Sequence, residues 1–273
     1  MTKILFAGDT HGNYAHTERV FDHALRNDAD LIVQVGDFGF GWQQIADGSD
    51  YFSSLVSGLA QTHRIPLYWL GGNHENYDAL DALVGTAPPD VSEIAPQVYY
   101  LARGATLTFD GVRFLFCGGA TSVDKKYRVD GVSWWRQEEI SYADVDRCKA
   151  QGTVDFLITH DFPWEVDGVV DRHLDPYWGE EAQEKTIASR KKISTILSNC
   201  NAFFQIHGHL HINYNQTITV NEHPVLVRGL GCDGMPMEMS TYLIDTNDYR
   251  LTPEASDATV EGTDNTENTN AIH

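Results

Sequence analysis

The chain has 273 residues, of which 42% are apolar and 21% charged, enough to bury a sizeable core as one large α/β domain or two small ones. Its formal charge of −20 repels phosphate backbones and makes long nucleic acid an unlikely partner. Four scattered cysteines without a CxxC pair argue against a zinc knuckle or a secreted disulfide framework. No apolar stretch approaches the ~20 residues that span a bilayer, and the few residues before Gly8-Asp9 are too short for a signal peptide, so the expected setting is cytoplasmic, away from membranes.

In chain order, the apolar run Ile4–Ala7 reads as a buried strand ending in Asp9-Thr10-His11. A helix follows over Tyr14–Asn27, with Val20, Phe21, Ala24 and Leu25 at helical spacing. Leu31–Val35 is a second strand, ending in Gly36-Asp37. Asp50–His63 is a second helix with Phe52, Leu55, Val56 and Leu59 on one face, and Leu67–Leu70 a third strand running into Gly71-Gly72-Asn73-His74-Glu75. The intervals of 28 residues from Asp9 to Asp37 and 36 from Asp37 to Asn73 suit one βαβ unit each, so right-handed crossovers bring these strand ends to one edge.

The middle of the chain changes character. Ala105–Phe109 and Val112–Cys117 flank Asp110-Gly111, a strong two-residue hairpin signal. A long polar loop then runs through Lys125-Lys126-Tyr127-Arg128 to Trp134-Trp135. A helix over Ile140–Ala150, starting at Ser141, precedes a strand Val154–Thr159 that ends in His160-Asp161. After a loop rich in Asp, Pro and Trp comes a charged helix over Glu180–Ser198, whose Arg190-Lys191-Lys192 reads as an exposed face. Phe203–Ile206 ends in His207-Gly208-His209-Leu210-His211. A hairpin follows, Thr217–Val220 and Val225–Arg228, turning through Asn221–Pro224, and a last strand covers Thr241–Asp245. One sheet partly parallel and one richer in hairpins, with helices outside, predict a four-layer αββα sandwich over residues 1–250. Residues 251–273 read as an acidic, disordered tail.

Five strand ends thus carry Asp, Asn and His, and ligands of α/β sheets collect beyond such ends. Asp9 and His11, like His209 and His211, stand at i and i+2, which point the same way on an extended segment. Asp37 can bridge two ions, Asn73 offers a neutral oxygen and His160 a further nitrogen. This sulfur-free N/O set suits Mn²⁺, Fe, Co²⁺ or Zn²⁺. Asp9, Asp37 and Asn73 could each be helix N-caps instead, but capping does not account for the histidines.

In order and spacing, Gly8-Asp9-Thr10-His11-Gly12-Asn13, Gly36-Asp37, Gly72-Asn73-His74-Glu75, His160 and Gly208-His209-Leu210-His211 resemble the motif series of calcineurin-like metallophosphoesterases. The resemblance covers roughly residues 4–245. It implies that Asp9, His11, Asp37 and His211 hold one divalent ion, and Asp37, Asn73, His160 and His209 the other, with Mn²⁺ favoured over Fe, Zn²⁺, Co²⁺ or Ni²⁺. It further implies attack by a hydroxide bridging the ions, with His74 facing the leaving group as general acid or phosphoryl-binding cation. The implied substrate is a phosphorylated small molecule, a nucleotide or a phosphopeptide, as monoester or diester.

One departure stands out. The GDxVDRG of phosphoprotein phosphatases supplies an Asp that orients the catalytic His and an Arg that binds phosphate. Here the stretch is Gly36-Asp37-Phe38-Gly39-Phe40-Gly41, without either. Arg128, in the polar loop, is the outside cation best suited to meet phosphate, and Asn73 is the other substrate-binding candidate; Lys125, Lys126 and Arg128 read equally well as solvated surface. Trp134, Trp135, Trp164 and Trp178 read as packing residues or cleft walls, and His207 as structural. A nuclease of the same fold would need a basic track that the charge denies, and a non-catalytic scaffold would be expected to have lost ligands.

Overall fold

The computed structural model describes residues 1–45, 48–169 and 172–249. The expected acidic tail, 251–273, lies outside the described residues. The front of the chain forms β1 (Lys3–Ala7), α1 (Tyr14–Arg26), β2 (Leu31–Gln34), α2 (Tyr51–His63) and β3 (Leu67–Leu70), close to the expected bounds. The helices start at side-chain caps that accept backbone N–H groups: Asn13 from His16 and Asp50 from Ser53. Asp9, Asp37 and Asn73 cap none of the helices, which frees them for other work.

Three further elements were not anticipated: α3 (Tyr77–Val84), β4 (Val91–Ala95) and β5 (Val98–Leu101). They are short, and β4 is a half-buried edge whose Val-Ser-Glu-Ile-Ala has no clean alternation. Then come β6 (Thr106–Phe109) and β7 (Val112–Cys117), joined through Asp110 and Gly111, followed by α4 (Tyr142–Lys149), which Ser141 and Asp144 start with a reciprocal capping box. β8 (Phe156–Thr159), α5 (Glu180–Cys200), β9 (Phe204–His207), β10 (Tyr214–Val220), β11 (His223–Gly229), α6 (Met237–Ser240) and β12 (Thr241–Asp245) complete the set. The last hairpin turns more tightly than expected, at Asn221 and Glu222, whose φ values are 49° and 65°.

The strands form two six-stranded sheets, ordered β12-β1-β2-β3-β5-β4 and β10-β11-β9-β8-β7-β6. Each has four parallel strands at its centre and one antiparallel strand at either edge. The second sheet is therefore no richer in hairpins at its heart than the first; its hairpins are its edges. Alternation along β1 sorts the layers. Ile4 and Phe6 pack with Phe114, Phe156 and Ile206 between the sheets. Leu5 and Ala7 pack outward with Val20, Phe21 and Val56 of α1 and α2. On the far side Leu115 and Leu157 meet Val145, Ile193 and Ile196 of α4 and α5. Helix, sheet, sheet, helix: the αββα sandwich is the observed fold.

Arg190 corrects the expectation of an exposed basic face. It is buried, its Nε is 3.4 Å from Asp161 Oδ1, and its guanidinium lies 3.9 Å over the Phe162 ring. Asp161 needs that partner because a buried carboxylate is costly alone.

On the inner face of the second sheet Phe156 sits 4.8 Å from Phe114 and 4.7 Å from Phe204 by ring centroids, and Phe6 of the first sheet meets Phe114 at 6.3 Å. Phe156→Ala is expected to cost about 3–5 kcal/mol of unfolding free energy. Urea titration reads this as a lower midpoint at unchanged slope; a loss under about 1 kcal/mol would show that the ring stack does not hold the sheets.

Candidate metal and phosphoester site

The C-terminal ends of β1, β2 and β3 meet those of β8 and β9 at one edge of the sandwich. Asp9, His11, Asp37 and His211 each place a ligand atom within 4.8 Å of the others, and so do Asp37, His160 and His209. Asn73 joins the second group, its Oδ1 3.2 Å from His160 Nε2. All seven residues singled out in the sequence as ligands therefore converge, with Asp37 common to both groups.

Asp37 is the hub. Its Oδ1 accepts the backbone N–H groups of Asn73 and His74 at 2.8 and 2.9 Å and lies 3.4 Å from His160 Nε2. Its Oδ2 is 3.5 Å from His11 Nε2 and 3.8 Å from His74 Nε2. Burial alone would push this carboxyl up, but His160 and His74, with hydrogen bonds from His11 and His160, hold it well below the usual range. On the other side of the cluster Asp9 accepts the His209 N–H at 3.1 Å and faces His211 Nε2 at 2.9 Å.

Backbone strain concentrates here. His11, Asp37, His209 and His211 have φ values of 44°, 55°, 62° and 57°, in the left-handed region that costs non-glycine residues of order 1–3 kcal/mol each. The approach is close enough that a Cβ on Gly72 would stand 2.2 Å from Asp37 Oδ1, and one on Gly208 2.0 Å from Asp9 Oδ1. Glycine is obligatory at both. Glu75, fully buried, ties the two central loops together by accepting the N–H groups of Phe38 and Gly72. Burial, then the charge of Asp37, raises its carboxyl to about 7.

The donor set fits a pair of divalent ions. His160 Nδ1–H donates to the Val35 carbonyl at 2.8 Å, and His11 Nδ1–H to Asp233 at 2.8 Å, which turns each Nε2 toward the cluster. His209 Nε2 is buried without a hydrogen-bond partner, and burial, with His173 and His160 nearby, keeps this imidazole neutral. Asn73 is oriented by a relay: its Nδ2 donates to Ser122 Oγ at 3.2 Å, and Ser122 Oγ donates to Glu138 at 2.9 Å. That turns Asn73 Oδ1 toward His160 Nε2 and the cluster.

His74 stands at the rim. Arg128 Nη2 donates to its Nε2 at 3.1 Å and Arg128 Nη1 to the Asn73 carbonyl at 3.1 Å, while Asp124 holds Arg128 Nε at 2.8 Å. Asp124 and Arg128 thus bring to His74 the acid and the guanidinium that the second motif lacks. Burial, outweighing the attraction of Asp37 and reinforced by Arg128, lowers the His74 pKa below 6.5.

Lys125 and Lys126 do not join them. Lys125 lies 3.6 Å over the Trp134 ring, and Lys126 donates to the Tyr177 carbonyl. His207 is structural, its Nε2 2.7 Å from the Tyr214 hydroxyl and its pKa lowered by burial to about 3. Trp135 packs in the helix-side core, whereas Trp164 and Trp178 take no part in the ligand cluster.

A family profile, Calcineurin-like phosphoesterase (Metallophos), matches residues 2–213. The chain belongs to the calcineurin-like phosphoesterase family. This is the family that the motif series implied. The lariat debranching enzyme of Schizosaccharomyces pombe is 24% identical over 225 residues, covering 72% of this chain but only 46% of that enzyme. The chain thus spans about half the length of this curated relative. Its fold is similar to that of a dimetal phosphatase from Danio rerio, with a TM-score of 0.53 at 12% identity over 89% of this chain and 91% of that one. TT1561 of Thermus thermophilus matches at a TM-score of 0.50 and 11% identity, over 84% and 89% of the two chains. Among the described residues no helix is long and apolar enough to cross a membrane.

Asp233, Ser122, Glu138 and Asp124 escaped the sequence reading. Asp233 had a signal: it follows the apolar strand β11 as Asp9 follows β1. The other three sit in irregular loops without periodicity.

Three histidines carry protons in the metal-free protein. Burial pulls each down, but hydrogen bonding to and the charge of Asp37 raise His11 to about 9, the charges of Asp37 and Asp9 raise His160 to about 10, and Asp9 raises His211 to about 11. A raised folded-state pKa contributes stability that is whole below the unfolded value near 6.5 and lost as pH climbs through the folded one. Metals compete with those same protons. Chelated protein is therefore expected to lose thermal stability from pH 6.5 to 10, and the gain in Tm on adding Mn²⁺ to widen over that interval. A gain constant with pH would show that these histidines are neutral before metal arrives.

Proposed function

We propose that the protein is a dinuclear phosphoesterase hydrolysing a small or flexible phosphoester. In this reading Asp9, His11, Asp37 and His211 hold one ion, and Asp37, Asn73, His160 and His209 the other. The observation that carries it is the single buried carboxylate of Asp37 shared by both ligand groups. Two divalent ions, when bound, supply an activated water and neutralise charge on the displaced phosphoryl group. Mn²⁺ is the preferred pair, with Fe, Zn²⁺, Co²⁺ or Ni²⁺ as substitutes in an N/O site.

The protein's own residues do the rest. Arg128, held by Asp124, binds non-bridging phosphoryl oxygens through its planar guanidinium. Asn73 lies beside it, fixed by Ser122 and Glu138. His74 faces the leaving-group oxygen and passes it a proton; binding a phosphoryl anion between His74 and Arg128 raises the imidazole pKa toward the range that task needs. The substrate class is a phosphorylated small molecule, a nucleotide or a phosphopeptide, in a cytoplasmic setting that suits the buried thiols of Cys117, Cys148 and Cys200. The catalytic unit is residues 1–250. A diester of the lariat type is the second reading, favoured by similarity to the debranching enzyme and opposed by the charge of −20.

Chelated protein restored with Mn²⁺ is expected to hydrolyse 4-nitrophenyl phosphate or its bis ester. No turnover with any divalent metal would refute the reading. Asp37→Ala is expected to lose both ions and Asp37→Asn to weaken both, with circular dichroism checking the fold. His74→Ala is expected to keep its metals and slow turnover by roughly 10²–10⁴-fold. Metal analysis separates these outcomes: if His74→Ala empties the site, His74 is a ligand and not the leaving-group residue.

A further inference from the structure

Beside His74 the surface opens into a cleft of about 450 Å³. His74, Arg128, Trp42, Val132, Asp124 and Ser133 are among the residues that line it. Its volume falls within the range of small-molecule sites. Trp42 is 51% exposed and Val132 71%, so two large apolar side chains stand open to solvent at the same mouth. The indole is not loose. Its Nε1–H donates to the His74 carbonyl, which occupies its only polar atom and fixes the ring beside the reacting centre. A tethered, half-exposed indole offers its face to a partner at small entropic cost.

Charge narrows the partner further. Asp124 is the carboxylate of the cleft and Arg128 its guanidinium, paired at 2.8 Å. The remaining Arg128 nitrogens go to His74 and the Asn73 carbonyl. The neighbouring lysines are turned elsewhere, onto Trp134 and the Tyr177 carbonyl. Among the described residues the cleft therefore has no cation left over for a second phosphate, and the chain as a whole repels one.

We propose that this cleft is the leaving-group subsite and takes a planar, uncharged aromatic group of nucleoside size, stacked on Trp42. The inference rests on His74 facing the leaving group, as the functional reading above has it. The base stacks on the indole, its polar edge meets Asp124 and Ser133, and the ester oxygen lies at His74. Hydrolysis needs nothing new: water adds to phosphorus, the P–O bond to the nucleoside breaks, and the departing oxygen takes a proton.

Two measurements test it. Binding of adenosine and of uridine, which carry no phosphate, to metal-free protein is read by equilibrium dialysis. Base–aromatic stacking is worth ~1–3 kcal/mol, so Trp42→Ala is expected to weaken binding about 5- to 150-fold, with Trp42→Phe recovering most of it. In the Mn²⁺-loaded enzyme, the ratio of kcat/KM for a nucleoside monophosphate over glycerol phosphate is expected to fall by the same factor in Trp42→Ala and to recover in Trp42→Phe. Equal losses on both esters, or nucleoside binding indifferent to Trp42, would overturn the subsite. Phenyl phosphate as a third ester separates a demand for any aromatic ring from a demand for a nucleoside; loss on phenyl phosphate alone would overturn the nucleoside assignment. Nucleoside binding that depends on Trp42 in a protein that hydrolyses no ester would leave the subsite standing and the phosphoesterase reading refuted.

Discussion

A single carboxylate organises this molecule's working edge. Asp37 is 1% exposed, and an ion so buried is tolerable only when its lone pairs and charge are answered. Two backbone N–H groups, from Asn73 and His74, answer the first need, and the imidazoles of His11 and His160 the second. The positive φ of Asp37 and the bare Cα of Gly72 are consequences, because only that backbone lets the side chain turn back under the β3 loop. Glu75 then closes the β2 and β3 loops into one unit by bonding both. In the absence of metal, protons on the neighbouring histidines supply the counter-charge, so metal affinity and proton affinity are one quantity seen from two sides.

The two sheets serve that arrangement directly. β1, β2 and β3 of the first sheet bring Asp9, Asp37 and Asn73, whereas β8 and β9 of the second bring His160 and His209. The groups meet only if the sheets keep their relative position, which the His160 bond to the Val35 carbonyl reports at the edge and the rings of Phe6, Phe114, Phe156 and Phe204 secure beneath it. A slip of one sheet past the other would cost the Phe6–Phe114 contact and the apolar packing between the sheets before it moved a residue of the cluster. The stability of the aromatic core and the precision of the ligand set are therefore coupled, although no core ring touches the reacting atoms.

What could be read in the sequence follows from this plan. Buried parallel strands are written as apolar runs, and a ligand at a strand end interrupts such a run, so Asp9, Asp37, Asn73, His160, His209 and His211 announced themselves twice, by type and by place. The α3–β4–β5 stretch did not, because a half-buried edge strand and an eight-residue helix carry too little pattern to stand apart from loop. Ser122, Glu138 and Asp124 were silent for another reason: each acts through a loop whose path is set by tertiary packing and not by any local period. Arg190 misled by type, since a guanidinium in a basic triplet reads as surface until a buried carboxylate such as Asp161 is known to face it.

The replacement of the missing phosphatase acid and guanidinium by Asp124 and Arg128 has a further meaning. An Arg fixed within the β2 loop would be rigid with Asp37, whereas Arg128 arrives on a loop pinned by contacts of its own: Lys126 to the Tyr177 carbonyl, and Tyr127 to the Tyr177 hydroxyl at 3.2 Å. The charge proposed to bind phosphate thus sits on the same loop that carries Ser122, the residue orienting Asn73. One segment, 122–128, sets a proposed ligand's amide, the guanidinium and the partner of His74 together. In this state Arg128 donates to His74 Nε2, so the imidazole is an acceptor there and the arginine is the standing cation. In the proposed reaction, a phosphoryl anion entering between them would take over the guanidinium and leave His74 free to be protonated. The proposed division of labour follows from side-chain chemistry: the planar guanidinium would hold the anion, and the imidazole, which can give up a proton, would serve the departing oxygen.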